Sequence, residues 1–256
     1  MRVPRDAGVL GRTLPEAETA AGIGGTTPVL NIDLGELPDE AEALYEVADL
    51  AHVACGGHAG DEATMRRALA LCMRHGTHVG AHPSYPDRQG FGRRRMPIGA
   101  AELCASVLEQ CARLARIGSE AGVVVRFVKA HGALYHAVRE DGAVAAALVD
   151  GAVGALGPGV TFVGPAVGQL RVAVERAGLA LLREGFADRA TREDGTLVPR
   201  GEAGALILDP SAAAARARRL AASGEVDTLC VHGDSPGAVV IARAVREALD
   251  GRRKEG

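Results

Sequence analysis

Four of the eight histidines, His58, His82, His131 and His232, stand just past short apolar runs, each beside a glycine or alanine. Small neighbours let a ligand approach the backbone. Asp33 occupies the same kind of position at the end of a further run, and Lys129 follows the run that precedes His131. Acid plus several imidazoles suits either a divalent metal or general acid/base work. A metal would polarise a carbonyl or activate water, with Asp33, His58 and His82 as the candidate ligands. The competing reading is a metal-free site in which His and Asp move protons. Spacing does not choose between them, because the groups come from different segments. Around this set lie Asn31 and Glu36 near Asp33, then Glu184, Asp188 and Arg189 together, and Asp234 after His232. His52 reads as structural, and His75 and His78 fall at the wrong end of their strand. A second chemical feature is the loop from His82 to Met96. Pro83 and Pro86 stiffen it, Gly90 and Gly92 let it bend, and Arg93, Arg94 and Arg95 suit phosphate or carboxylate oxygens.

These groups need elements to position them. Apolar runs at Val29–Leu34, Leu50–Ala54, Thr77–Ala81, Val123–Val128, Val160–Val163, Leu179–Arg183 and Asp227–Val231 read as strands. Helical patterns lie between them. Pro38–Ala48 is one. Another is capped by Asp61, with Met65, Ala68, Leu69, Cys72 and Met73 on one face and Gly76 at its end. Gly99–Glu120, Asp141–Ala155, Val167–Ala177 and Ser211–Ala222 follow. Ser235 is expected to cap the last helix, with Pro236 at its first position. Between Gly185 and Asp209 runs a long connection with an extended piece, Ala205–Leu208. Seven strand–helix units with nearly all-apolar strands imply a parallel sheet covered by helices, open or closed into a barrel. In either closure, sites form at the carboxyl ends of the strands.

The bounds agree. The chain has 256 residues, enough for a real core. A net charge of -3, with 3% aromatics and no Trp, argues against nucleic-acid binding. Five cysteines show no CxxC or zinc spacing, and no apolar run approaches the roughly 18 residues of a membrane span. Cys72, Cys104 and Cys111 read as buried thiols, and a reducing cytoplasmic setting is expected. Neither GxGxxG after the first strand nor a Walker A sequence is present. Residues 1–27 lack apolar periodicity and read as a disordered extension, or as a start codon placed too early. Residues 28–251 read as a single domain and 252–256 as a charged tail.

Taken in order, the segments Asn31–Glu36, Ala54–Asp61, Gly80–Pro83 with Gly90–Arg94, Val128–Tyr135, Glu184–Arg189 and Cys230–Asp234 resemble one family. It is the family of the A subunit of the bacterial ATP-dependent 5-oxoprolinase, also called the LamB/YcsF family. The resemblance runs from about Leu30 to Leu249. It implies a seven-stranded parallel β/α barrel, glycoside hydrolase/deacetylase-like, with its site at the strands' carboxyl ends. It implies opening of the lactam of 5-oxo-L-proline to L-glutamate with ATP hydrolysis, and 5-oxoprolinase subunits B and C as partners. The alternatives are a stand-alone metal-dependent deacetylase or amidase of the same fold and a non-catalytic ligand-binding subunit. On the leading reading Asp33, His58, His82, Lys129, His131 and Asp234 are catalytic. Asn31, Glu36, Arg93, Arg94, Glu184, Asp188, Arg189, Arg200 and His232 bind substrate or phosphate. The chain departs from the family pattern at Ile32, His52, Gly57, Ala130, His136 and Thr191. Gly57 is expected to open space beside His58, and Ile32 to remove a thiol beside Asp33.

Overall fold

The computed structural model describes residues 27–192 and 195–253. Apart from Thr27, the expected extension lies outside the described residues, as do residues 254–256 of the tail. Seven strands form: β1 (Val29–Leu34), β2 (Leu50–Ala54), β3 (His78–His82), β4 (Val125–Lys129), β5 (Thr161–Gly164), β6 (Ala180–Phe186) and β7 (Thr228–His232). Each pairs in parallel with the next, and β7 pairs with β1, so the sheet closes into a barrel. Closure removes both edges and gives every strand an inner and an outer face.

Period-two alternation then sorts the side chains. On β1, Leu30, Ile32 and Leu34 turn outward into the main apolar core under the helices, while Asn31 and Asp33 turn into the lumen. The lumen itself is divided. A separate apolar cluster of Leu50, Phe127, Val163 and Leu182 fills its amino-terminal half. Phe127 lies two residues before Lys129 on β4, and Leu182 two before Glu184 on β6, so the same inward face changes from apolar to charged along each strand.

Eight helices among the described residues cover the outside: α1 (Glu42–Val47), α2 (Glu62–His75), α3 (Ala100–Glu120), α4 (Gly132–Glu140), α5 (Gly142–Leu156), α6 (Gln169–Arg176), α7 (Pro210–Ser223) and α8 (Ala238–Arg253). Asp61 and Thr64 make a capping box on α2, and Gly76 ends it at φ 68°. Met65, Ala68, Leu69 and Cys72 are buried as expected, but Met73 is 60% exposed. At about 100° per residue it lies some 80° around from Met65.

Three other expectations need correction. Helix α4 is absent from the sequence reading, because Gly132 beside a strand end reads as loop, yet Leu134, Tyr135, Ala137 and Val138 form its buried face. Ser235 does not cap α8. Gly237 at φ 74° separates Pro236 from the first helical turn, and the buried Ser235 hydroxyl has no hydrogen-bond partner among the described residues. Finally, β6 runs on to Phe186, and α8 continues to Arg253. Cys72 and Cys111 are buried, while Cys104 is only half-buried.

Candidate active site

The carboxyl half of the lumen is built around Lys129. Its ammonium lies 2.8 and 3.0 Å from the two Asp33 oxygens and 2.8 Å from Glu184 Oε1. Asn31 Oδ1 at 3.3 Å and Cys230 Sγ at 3.1 Å complete the shell. These groups come from β1, β4, β6 and β7, so only barrel closure assembles them. Burial opposes the charge on Asp33, but His82 and Lys129 overcome it and hold the carboxyl well below the usual carboxylate range. Burial also opposes the charge on Lys129, and Asp33 more than offsets it, so the ammonium stays protonated. Burial pushes the Cys230 thiol well up, which keeps it neutral.

Beside Asp33 lies a cluster of imidazoles. His82 Nε2 is 3.4 Å from Asp33 Oδ2 and 3.1 Å from His131 Nδ1. Glu36 Oε1 is 3.0 Å from His58 Nε2 and 3.2 Å from His131 Nδ1. The His58 and His131 rings stack at 3.6 Å. Burial pushes His58 down to about 3, against the pull of Glu36, so its ring is neutral. Burial also lowers His131, whereas Asp33 raises His82 despite burial. Glu36 stays ionised in spite of its burial, through hydrogen bonds with His131 and His58. Among the described residues two groups could hold a metal: Glu36, His58, His82 and His131, and separately Asp33, Cys230 and His232. The ligand set expected from sequence, Asp33 with His58 and His82, is therefore split between them.

Above these groups opens a cavity of about 700 Å³. Asp33, His82, Lys129 and His131 line its floor, and Arg93, Arg189, Arg200 and His232 its walls. Asp188 accepts from the His232 backbone N–H at 2.9 Å and lies 3.0 Å from its Nδ1, which orients the ring. Burial opposes ionisation of Asp188, but His232 lowers its carboxyl below the usual range. Arg189 donates to the Ala205 and Val198 carbonyls, which ties the long connection down.

The sequence-selected residues thus divide into three groups. Asp33, His82, Lys129, His131, Arg93, Arg189, Arg200 and His232 face the cavity. Asn31, Glu36, His58, Glu184 and Asp188 are buried behind them as supports. Asp234 and Arg94 do not join the site as expected. Asp234 has its carboxylate committed to Arg93 and Arg200. Arg94 pairs with Asp87, and its side chain is 65% exposed. Asp87 also accepts from the Gly90 N–H, so this pair shapes the loop.

Residues 29–255 match the LamB/YcsF family profile. The chain belongs to the LamB/YcsF family. It is 46% identical over 239 residues to the 5-oxoprolinase A subunit of Streptomyces avermitilis, covering 86% of this chain and 95% of that protein. It is 44% identical over 240 residues to the 5-oxoprolinase A subunit of Methylococcus capsulatus, covering 87% and 92%. The crystal structure of a lactam utilization protein from Thermus thermophilus superposes with a TM-score of 0.82 at 35% identity, covering 89% of this chain and 97% of that one. No helix among the described residues is long and apolar enough to cross a membrane.

Placed against this LamB/YcsF membership, the departures take on definite positions. Ile32 points away from the lumen into the core, so it removes nothing from Asp33. A thiol reaches Asp33 from β7 instead, through Cys230 at 3.9 Å. Its spacing of two residues from His232 puts both on one strand face, a signal legible in sequence. Gly57 opens no space: a Cβ there would meet Gln110 Oε1 at 2.3 Å and Ser84 Oγ at 2.5 Å. Gln110 fills that volume, bonded to the Ser84 backbone. His52 sits at the centre of β2. It is fully buried, its Nδ1 is 3.7 Å from Asp33 Oδ1, and neither ring nitrogen has a hydrogen-bond partner among the described residues.

Proposed function

We propose that this chain is the lactam-handling component of an ATP-dependent 5-oxoprolinase, which opens 5-oxo-L-proline to L-glutamate as ATP is hydrolysed. The observation that carries this reading is the setting of Asp33. It is an ionised carboxylate on the floor of a cavity whose walls carry arginines. The cavity's size suits a small acid with a phosphoryl group attached. Identity above 40% with 5-oxoprolinase A subunits supports the same reading. That name also implies partners, for which subunits B and C are the proposed ones.

The chemistry follows from the weakness of an amide as electrophile. Transfer of the ATP γ-phosphoryl group to the lactam oxygen makes the ring carbon attackable and that oxygen a leaving group. Asp33 takes a proton from water as its oxygen adds to that carbon. The ring C–N bond then breaks, and the nitrogen leaves as an amine after taking from Asp33 the proton removed from water. The acyl phosphate left behind consumes a second water, which releases phosphate and glutamate. Arg93, Arg189 and Arg200 neutralise the carboxylate of the substrate and the phosphoryl oxygens. Lys129 keeps Asp33 ionised and in place. A divalent ion beside Asp33 would add polarisation of the reacting oxygen. The chain has no Walker A sequence, so the partner subunits are assigned the binding of ATP.

Reconstitution tests this. The purified chain alone is expected to release no glutamate from 5-oxoproline, whereas adding subunits B and C with ATP restores release. Robust ATP-independent turnover by the chain alone would transfer the reading to a stand-alone amidase.

A further inference from the structure

His82 Nδ1 lies 2.8 Å from the Lys129 carbonyl oxygen, and His131 Nε2 lies 2.9 Å from the Phe91 carbonyl oxygen. A carbonyl only accepts, so these two ring nitrogens carry the protons and donate. The remaining nitrogens, His82 Nε2 and His131 Nδ1, face each other at 3.1 Å, and both offer lone pairs whenever His82 is not protonated toward Asp33 Oδ2, 3.4 Å away. Glu36 Oε1 adds a third electron pair, 3.2 Å from His131 Nδ1 and 3.9 Å from His82 Nε2. Three acceptors converging in a buried place repel unless a cation lies among them. One added proton bridges only one pair, whereas a single ion would serve all three atoms at once.

The geometry points to a divalent first-row transition ion of the zinc class, held by Glu36 Oε1, His82 Nε2 and His131 Nδ1. Atoms 3.1 to 3.9 Å apart share a point about 2 Å from each, the bond length such ions take to imidazole nitrogen and carboxylate oxygen. Both histidines meet the outer-shell rule for metal ligands, since each donates its other N–H to a backbone carbonyl. One of those carbonyls is held there by strain. Phe91 is the sole non-glycine residue at positive φ among the described residues, at 53°, and its carbonyl is the one that receives His131. His58 orients the carboxylate: its Nε2 donates to Glu36 Oε1, while its ring stacks on His131. Two imidazoles favour zinc-class ions over magnesium or calcium. His82 and His131 face the cavity, so a fourth position would open onto it, the pattern of catalytic rather than structural zinc. This site goes beyond the lactam-opening reading and stands without it, because metal binding can be read with no turnover.

The test uses the full chain without an affinity tag, stripped with a chelator. Cobalt(II) is titrated in, followed by its visible d–d absorption, and zinc(II) is then used to displace it. The expected result is one equivalent per chain, bleached by zinc. Uptake should be lost in Glu36→Gln and in His131→Gln and retained in the surface control His75→Gln. Circular dichroism of the stripped variants shows whether each remains folded, and the wild-type titration is decisive even if they do not. No uptake by the folded wild-type chain would overturn the site and leave a shared proton between the two histidines. One equivalent that survives both substitutions would overturn it equally, by placing the ion elsewhere.

Discussion

Lys129 and Arg200 both point at the same cavity, and both are paired with acids, but their pairings differ in kind. Lys129 is 2% exposed and is surrounded by Asp33, Glu184, Asn31 and Cys230. Solvent screens pairings buried to this degree only weakly. Arg200 has a side chain 25% exposed and shares one acid, Asp234, with Arg93. Its partner can be exchanged for a ligand anion at little cost. The floor therefore sets the protonation of Asp33 before any substrate arrives, whereas the wall remains adjustable. Removing a floor charge strands buried ions, and removing a wall charge weakens only recognition.

Lys129→Met should break the contrast most severely. Glu184 would be left buried with no counter-ion and Asp33 with His82 alone, a loss on the order of 3–5 kcal/mol in folding stability. Urea unfolding measures it. An unchanged midpoint would mean that the two acids already share a proton and that the lysine is not their keeper. Asp33→Asn comes next. Glu184 still holds Lys129, so the fold survives, but turnover in the complex reconstituted with subunits B and C should fall roughly 100-fold or more. Near-normal turnover would remove Asp33 from the chemistry.

A pH experiment sharpens the comparison at an intermediate level. The folded-state pKa of Asp188 is lowered, the pull of its partner His232 overcoming burial. Its contribution to stability is therefore fully present above the unfolded value of about 4 and is lost as pH falls toward the depressed folded value. Urea midpoints of the wild type should drop across that acid window. Asp188→Asn should start lower at neutral pH and show a shallower drop, and parallel curves would contradict the linkage. The smallest effect is expected at the wall. In Arg200→Ala, Arg93 still holds Asp234, so stability should change by no more than about 1 kcal/mol. KM for 5-oxoproline should rise with kcat nearly unchanged, the signature of lost ground-state binding. A fall in kcat at constant KM would assign Arg200 to the transition state instead.

Much of this is legible in the sequence. The boundaries of β1 and β2 follow from runs of apolar residues, and those of α2 from Asp61 and Gly76, because burial on both faces and capping are local demands. The positions of His82 and Lys129 at strand ends, and of His58 and His131 just past them, point to one site because parallel strands bring their carboxyl ends together. Residues whose meaning depends on an outside partner were read less well. Asp234 reads in the sequence as a catalytic acid, whereas in the fold its carboxylate is paired with Arg93 and Arg200. His52 reads as merely structural, although its strand register puts it beside Asp33.

The sequence by itself determined the alternation of strands and helices, the family, and the gathering of ionisable groups at one end of the sheet. All of these arise from short-range patterns of polarity and from ordered motifs. Only the tertiary structure decided which group serves which. Closure of the barrel pairs β7 with β1 and brings Cys230 and Glu184 to Lys129 across about a hundred and about fifty residues of chain, respectively. The same closure made His82, His131 and Glu36 converge and sent His232 to Asp188. Ionisation and ligand geometry depend on distances of a few ångströms between segments far apart in the chain, and local sequence carries no record of those distances.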